Sequence, residues 1–452
     1  MKKKISIREK CCYGLGDLAC NTMFTLVSTY IMFFYTDIAG IGLMAVGTIM
    51  AVSRVVDAIT DPLMGIIVDK TKSKWGKARP YVLWMSVPFG IISILMFISP
   101  DIGETGKFIY ALVTYILFCV VYTALNIPYS TMLSNVTDDE SERLSFNMFK
   151  TIGSNGGGFV ATGLTLGLVA AIGRGNQGLG FTGTVAIYAV LGVILLIVCF
   201  KNTKERIIPQ AENMPVGKSI KVAIQNRPWV VACIIAFLCF TSLIMRNSGA
   251  MYYAKYYLEN EAAATPLVSI ATLLGIPLAL VTPVIAKKVG AKRCVFIGAL
   301  VQALSMAGIY FAGKNLPAIF ILTAVGAVGF GIAMGLLFIL GAETIDYSEW
   351  KTGIRPQGLM TAFMGFMVKI GMAVSGVLSS AILSAGGYVE NVAQTEQSLN
   401  AIRMNYIWVP AGIALLIVVC ILFFNLDEKK YAKVIAELHQ RRENGSSKEQ
   451  EA

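Results

Sequence analysis

Three charged residues, Arg54, Asp57 and Asp61, lie inside a stretch that is otherwise apolar from about residue 41 to residue 68. Their spacing of three and then four residues places them on one face of a helix. A single charge at the centre of a membrane costs about 2.5–3.5 kcal/mol, so we expect this face to line the interior of a helical bundle. The two carboxylates predict a cation site. The alternative is a structural network in which Arg54 ties helices together.

Pro62 adds to the expected cation site because it has no N–H to donate to the carbonyl of Ala58. That carbonyl oxygen is left partly free beside the carboxylates of Asp57 and Asp61. Carboxylate and carbonyl oxygens are the ligands that hard cations prefer.

A second polar face lies in "YTALNIPYS", residues 122–130. Tyr122 and Asn126 are four residues apart, and Thr123 is three residues before Asn126, so the three side chains lie close together on a helix. An amide both donates and accepts hydrogen bonds, which suits a ligand rich in hydroxyl groups. Packing between helices through a polar Asn is the alternative.

Further polar residues interrupt three other apolar stretches. Asn21 follows Asp17 by four residues in "YGLGDLACN", Arg246 lies in "LIMRNSGAMYY", and Lys369 lies in "FMGFMVKIGMAVSG". A buried Lys or Arg opposite two Asp residues would close an electrostatic network. For Arg246, the alternative is a side chain that extends toward the membrane surface.

The elements that carry these residues are predicted to be membrane-spanning helices. The 452 residues are 56% hydrophobic and 14% charged, and the mean hydropathy is +0.66. Such a composition is typical of an all-α membrane protein with many spans, and no cleavable signal peptide is recognisable. Windows of about 20 residues predict twelve spans: 14–36, 42–68, 80–99, 108–136, 144–172, 179–200, 229–257, 266–286, 294–312, 317–342, 357–385 and 404–426.

Residues 201–228 form the longest polar interruption and divide the predicted spans into six and six. We therefore predict a six-helix bundle over 1–200, a cytoplasmic linker over 201–228, a second bundle over 229–426 and a cytoplasmic tail over 427–452. The basic loops 69–80 and 287–293 follow the second helix of each half, which is a weak internal repeat. Parallel six-helix repeats are typical of the major facilitator architecture.

Lys and Arg are concentrated in segments that this topology places in the cytoplasm, so both termini are predicted to be cytoplasmic. The net charge of +11 is then explained by basic loops beside anionic lipids, and no nucleic acid is implied. The sequence has no nucleotide-binding or zinc-protease motif, and its one histidine excludes a Ser-His-Asp triad within the membrane. We expect no enzyme activity and no cofactor. Any proton coupling would run through carboxylates.

Several motifs resemble those of one transporter family. They are "YGLGD" (13–17), "FFYTDIAG" (33–40), "SRVVDAITDPLMG" (53–65), "DKTKSKWGKARP" (69–80), "YTALNIPY" (122–129), "ETIDYSEWKTGIRPQG" (343–358), "VKIG" (368–371) and "GGYVENVAQT" (386–395). In order and content they resemble the glycoside–pentoside–hexuronide:cation symporters, the sugar branch of the major facilitator superfamily that includes the melibiose/sodium symporter. The resemblance covers essentially the whole chain and implies a major facilitator fold with twelve transmembrane helices.

The resemblance also implies roles for individual residues. The cation site would comprise Asp57, Asp61 and Thr123. The sugar site would comprise Asn21, Tyr122 and Asn126, with Lys369 contacting both sites and a basic residue at or next to Lys150. We add Arg246 to the candidate sugar residues because "MRNSGAMYY" is similar to xyloside-type members of this family.

Asn21 and Asn126 stand where the melibiose branch has acidic residues, and the sequence is closer to xyloside and glucuronide transporters. A neutral xyloside and an anionic uronide both remain open, as do Na⁺ and H⁺ as coupling ions. We expect a monomer of the plasma (inner) membrane that imports a sugar and contacts lipids. A sodium-dependent lipid transporter and a transporter-like sugar sensor are the alternatives; the polar helices and the short linker and tail disfavour them.

Overall fold

The computed structural model describes residues 5–137, 140–206, 222–354 and 357–450, and all regular structure in these ranges is helical. Part of the predicted linker, residues 207–221, lies outside them. The first half contains α1 (Ile7–Phe33), α2 (Leu43–Lys70), α3 (Arg79–Met96), α4 (Glu104–Val136), α5 (Glu140–Phe159), α6 (Thr165–Gly173) and α7 (Gln177–Asn202). The second half contains α8 (Arg227–Tyr252), α9 (Ala264–Val289), α10 (Ala291–Phe311), α11 (Leu316–Thr352), α12 (Gln357–Ala385), α13 (Glu396–Arg403), α14 (Val409–Leu422) and α15 (Glu428–Gln450).

Eleven helical runs in the described ranges are long and apolar enough to cross a membrane. The remaining predicted span, 266–286, falls within α9. The all-α fold with many spans that the sequence predicted is therefore confirmed.

Two helical runs extend beyond the spans that the sequence predicted. α11 continues ten residues beyond the predicted end at residue 342 and stops at Gly353, which has a left-handed backbone with φ of 70°. The run that carries the last predicted span, 404–426, begins earlier, at Glu396. Thr395 caps its first helix, α13, by accepting a hydrogen bond from the Ser398 backbone N–H at 3.2 Å. Hydropathy marks only the part of a helix that lipid can surround, whereas caps and glycines mark where the helix ends.

Within the described ranges, four helical runs contain a π-helical segment of five residues. These segments are Phe34–Ile38 after α1, Val160–Leu164 between α5 and α6, Tyr253–Tyr257 after α8, and Met404–Trp408 between α13 and α14. Such segments are rare and often lie at functional sites. Those after α1 and α8 occupy the same position in the first helix of each half, in agreement with an internal repeat.

Packing divides the chain into two compact units. The first comprises Met1–Ala211, Ile244–Leu273 and Ala373–Tyr406, and the second comprises Glu212–Leu243, Leu274–Met372 and Ile407–Ala452. The predicted boundaries at 200 and 229 concern the sequence repeat and remain a prediction. In the first unit, α1 packs most extensively against α5. A Cβ atom on Gly153 would overlap the carbonyl oxygen of Gly14, so glycine allows the two helices to cross closely.

The chain that follows α7 is anchored to the first unit by Glu205. Its carboxylate accepts hydrogen bonds from the backbone N–H groups of Lys77, Ala78 and Arg79 at 3.1, 2.9 and 2.7 Å, and from the Asn135 amide at 3.0 Å. The N–H groups at the start of a helix lack intrahelical partners and carry partial positive charge. Glu205 therefore caps α3 and holds the basic loop before it.

Candidate functional site

The first candidate cation ligand, Asp57, is paired with Arg54 on its own helix. Asp57 is buried, and its Oδ2 lies 2.9 Å from Nη1 of Arg54, whose side chain is also largely buried. Their spacing of three residues on α2 makes this contact possible within one helix. Arg54 is thus a local counter-ion, and it neutralises Asp57 from within the same helix.

The second aspartate links α2 to α4. Oδ1 of Asp61 accepts a hydrogen bond from Oγ1 of the buried Thr123 at 2.9 Å. Hydrogen bonds to a charged acceptor are stronger than neutral ones, so this bond fixes the carboxylate relative to α4. Asp61 and Thr123 therefore supply adjacent oxygen atoms from two helices.

The other two α4 candidates flank Thr123 on a half-buried face. The Tyr122 ring stacks against Phe24 at 5.5 Å between centroids and against Phe118 at 5.9 Å. In the described ranges, neither the Tyr122 hydroxyl nor the Asn126 amide has a hydrogen-bond partner, and both residues are half-buried. Aromatic packing holds the ring, while the polar groups at its end and one turn along remain available to a ligand.

On α1, Asn21 is oriented by Asp17. The amide nitrogen of Asn21 donates to Asp17 Oδ2 at 3.1 Å and to the Asp17 carbonyl oxygen at 3.3 Å. Because these bonds use the N–H groups, the Asn21 oxygen is left to accept a hydrogen bond. Asp17 itself is buried.

Lys150 reaches the same region from α5. Its ammonium lies 3.4 Å from the Ser130 hydroxyl and 5.7 Å from the centre of the Tyr129 ring, and it is close enough to Asp17 to interact electrostatically. The close crossing of α1 and α5 produces this approach. The structure therefore brings Asp17, Asn21 and Lys150 together. From the sequence, the basic residue could be placed only at or next to Lys150.

The two basic residues from the second half lie in different units. Arg246 is on α8 in the first unit, and only 5% of its surface is exposed. Lys369 is half-buried on α12 in the second unit. The role of Lys369 beside the first-unit residues remains a prediction.

A polar cluster that sequence reasoning did not assign surrounds Asp37, at the opposite end of α1 from the N-terminus. The side chain of Asp37 is fully buried, and its Oδ1 lies 2.9 Å from the Lys255 ammonium. The hydroxyl of Tyr388 donates to Asp37 Oδ2 at 2.8 Å, and the hydroxyl of Tyr256 donates to Oδ1. The amide of Asn391 donates to the Asp37 carbonyl oxygen at 2.7 Å.

This Asp37 cluster joins three parts of the chain within the first unit. Asp37 follows α1, Lys255 and Tyr256 follow α8, and Tyr388 and Asn391 lie in the loop after α12. Burial and the Asp37 carboxylate raise the pKa of Tyr388 above its ordinary value, so its hydroxyl remains a donor. The sequence signals were the motifs "FFYTDIAG" and "GGYVENVAQT", whose residues had no role assigned.

Membrane-length helices with buried carboxylates, amides and hydroxyls are typical of a membrane transporter. The family described as "MFS/sugar transport protein" matches residues 12–428. The chain belongs to this family of transporters, and it is not an enzyme.

Similar proteins agree with this assignment. The isoprimeverose transporter of Lactiplantibacillus pentosus is 36% identical over 446 residues, which cover 97% of this chain and 93% of that protein. The inner membrane symporter YicJ of Escherichia coli (strain K12) is 33% identical over 436 residues, covering 95% and 93%. A crystal structure of the nucleoside transporter NupG matches 93% of this chain and 100% of its own, with a TM-score of 0.65 and 15% identity; it supports the fold alone.

Proposed function

We propose that the protein is a symporter that uses a Na⁺ or H⁺ gradient to import a glycoside, pentoside or hexuronide across the plasma membrane. The observation that carries this proposal is the adjacency of two kinds of site on α4. Thr123 binds the Asp61 carboxylate at 2.9 Å, while its neighbour Tyr122 and the amide of Asn126 have no hydrogen-bond partner in the described ranges. One residue of the cation site and two residues of the sugar site thus lie within about one turn of α4.

The cation site in this proposal consists of Asp57, Asp61 and Thr123. Asp61 and Thr123 offer oxygen atoms to Na⁺, and either carboxylate can take a proton. Arg54 competes with the cation for Asp57, since it already lies 2.9 Å from that carboxylate. Cation binding would therefore release Arg54 or require its rearrangement, which supplies a conformational response to loading.

The sugar site consists of Asn21, Tyr122 and Asn126, with Lys150 beside them, and Lys369 and Arg246 are further candidate sugar residues. The amides and the tyrosine hydroxyl bind sugar hydroxyls, and the aromatic packing of Tyr122 keeps its hydroxyl in place. Because sugar and cation bind to neighbouring residues of α4, each raises the affinity of the other by the same factor.

With both termini in the cytoplasm, the Asp37 cluster lies at the outer end of α1. There it holds α1, α8 and the loop after α12 together, and it closes the outer end of the path that the sugar takes through the protein. Opening to the outside breaks the contacts of Asp37 with Lys255 and Tyr388. The cluster thus acts as an outer gate of alternating access.

The test is transport by the full-length protein in proteoliposomes, with and without Na⁺, over a panel of xylosides, glucuronides and galactosides. We expect uptake of at least one glycoside that is accelerated by an inward Na⁺ or H⁺ gradient. Asn126→Leu should raise the KM for that sugar, whereas Asn247→Leu, one position after Arg246, serves as a matched control. Absence of gradient-stimulated uptake of any sugar in the panel would refute the proposal.

A further inference from the structure

Arg246 is a buried cation that no carboxylate of the described residues neutralises. It lies within the helical run Arg227–Tyr257 and is 5% exposed. In the described ranges it forms no ion pair with a carboxylate, and its Nε has no hydrogen-bond partner. An uncompensated guanidinium inside a membrane protein is costly, so such a residue indicates a function rather than a contribution to stability.

The face of the helix that carries Arg246 packs against the π-helical segment Met404–Trp408. Arg246, Gly249 and Tyr253 are spaced by three and four residues, which places them on one side. A Cβ atom on Gly249 would lie 3.1 Å from the Asn405 amide nitrogen, and the Tyr253 ring stacks on Tyr406 with centroids 4.6 Å apart. Glycine thus brings Asn405 next to this face.

Two further polar atoms at this contact lack a hydrogen-bond partner among the residues that the structure describes. The hydroxyl of Tyr253 and Oδ1 of Asn405 are buried without a hydrogen bond, and the residues are 0% and 1% exposed. Buried polar groups in proteins are nearly always hydrogen-bonded, so three unsatisfied groups on two packed segments need an explanation. They comprise a charged donor, an acceptor, and a hydroxyl that can do either.

We propose that Arg246, Tyr253 and Asn405 form a second sugar subsite, and that it binds neutral hydroxyl groups rather than a carboxylate. A sugar hydroxyl accepts a hydrogen bond from Arg246 and donates one to Asn405 Oδ1, which satisfies both partners. A carboxylate accepts from Arg246 and Tyr253 but has no proton for Asn405, whose oxygen then stays unsatisfied at a cost. The subsite therefore selects a neutral pentoside or glycoside ring.

This inference rests on the proposed function and deepens it by naming the substrate class. The test measures binding of p-nitrophenyl β-D-xyloside and p-nitrophenyl β-D-glucuronide to the purified full-length protein, together with its thermal unfolding. Tyr253→Phe and Asn405→Leu remove one polar group each and keep the shape. Tyr257→Phe, in the same π-helical segment, is the matched control.

Wild-type protein should bind the xyloside more tightly than the glucuronide. Tyr253→Phe and Asn405→Leu should raise the Kd for the xyloside about tenfold, and Arg246→Gln by about 10- to 100-fold, as expected for loss of neutral and charge-assisted hydrogen bonds. Tyr257→Phe should leave the Kd unchanged. A structural role would change the thermal unfolding temperature of these variants without changing the Kd.

Two results would overturn the inference while the proposed function stands. One is an unchanged xyloside Kd in all three subsite variants. The other is tighter wild-type binding of the glucuronide that Arg246→Gln abolishes, since this would place a carboxylate on Arg246. Failure of the wild type to transport or bind any sugar would instead refute the proposed function itself.

Discussion

Replacement of Asp37 by Asn tests the outer gate. The substitution removes the charge that faces Lys255 at 2.9 Å and accepts hydrogen bonds from Tyr256 and Tyr388. Removing one partner of a buried, hydrogen-bonded charge pair costs about 2–5 kcal/mol. The lower end applies, because the Lys255 side chain is 17% exposed and Glu261 lies only 4.0 Å away. A cost of about 2 kcal/mol, borne only by the closed state, shifts the open-to-closed ratio about 30-fold.

The shift can be measured with a cysteine that is buried when the gate is closed. Ser380 on α12 is 1% exposed, and a Cβ atom on Gly47 of α2 would lie 2.9 Å from its side chain. In right-side-out vesicles, Ser380→Cys should react slowly with a membrane-impermeant maleimide. Adding Asp37→Asn should accelerate the reaction by up to about 30-fold, until the open state predominates.

The control is Asp101→Asn, the same chemical change at an exposed carboxylate in the loop before α4. It should leave the labelling rate of the Ser380→Cys variant unchanged. If Asp37→Asn also left that rate unchanged while the protein remained folded and abundant, the Asp37 cluster would not close the outer end. The refutation would concern the gate and not the sugar or cation sites.

Three further predictions concern the first unit. Thr123→Val should raise the cation concentration for half-maximal uptake at least tenfold, because Asp61 loses a charge-assisted hydrogen bond. Thr114→Val, which removes hydrogen bonds to carbonyl groups of its own helix, should have no such effect. Asp17→Ala should raise the sugar KM several-fold but leave cation dependence unchanged, since it frees the Asn21 amide to rotate. Glu205→Ala should destabilise the protein by about 2–3 kcal/mol in thermal unfolding, with a smaller effect for Glu205→Gln, whose oxygen can still accept hydrogen bonds.

Membrane-spanning segments and the acidic face of α2 could be predicted from the sequence because both depend on local patterns. Apolar length marks a span, and a spacing of three or four residues marks a face. The same reasoning allows an Arg54–Asp57 contact, which the structure confirms at 2.9 Å. It could not decide whether Arg54 pairs within its helix or with another one.

Long-range contacts were beyond sequence reasoning. Asp37 contacts Lys255 and Tyr388, and Glu205 caps α3. In each contact the two partners are more than a hundred residues apart in the sequence. No periodicity in one sequence specifies which helix ends meet, because that depends on how the helices pack. Lys150 is an intermediate case: its neighbourhood became clear only from the glycine-mediated crossing of α1 and α5.

In the proposed mechanism, sugar movement is coupled to a cation through Asp57 and Asp61. The most direct measurement is cation flux driven by a sugar gradient alone, recorded in proteoliposomes with pH- and Na⁺-sensitive dyes. Wild-type protein should move H⁺ or Na⁺ in a fixed ratio to the sugar, and Asp61→Asn should abolish the cation flux. Sugar transport by the wild type without any cation flux would contradict this coupling mechanism. Undiminished coupling in an Asp57→Asn, Asp61→Asn double variant would contradict it as well.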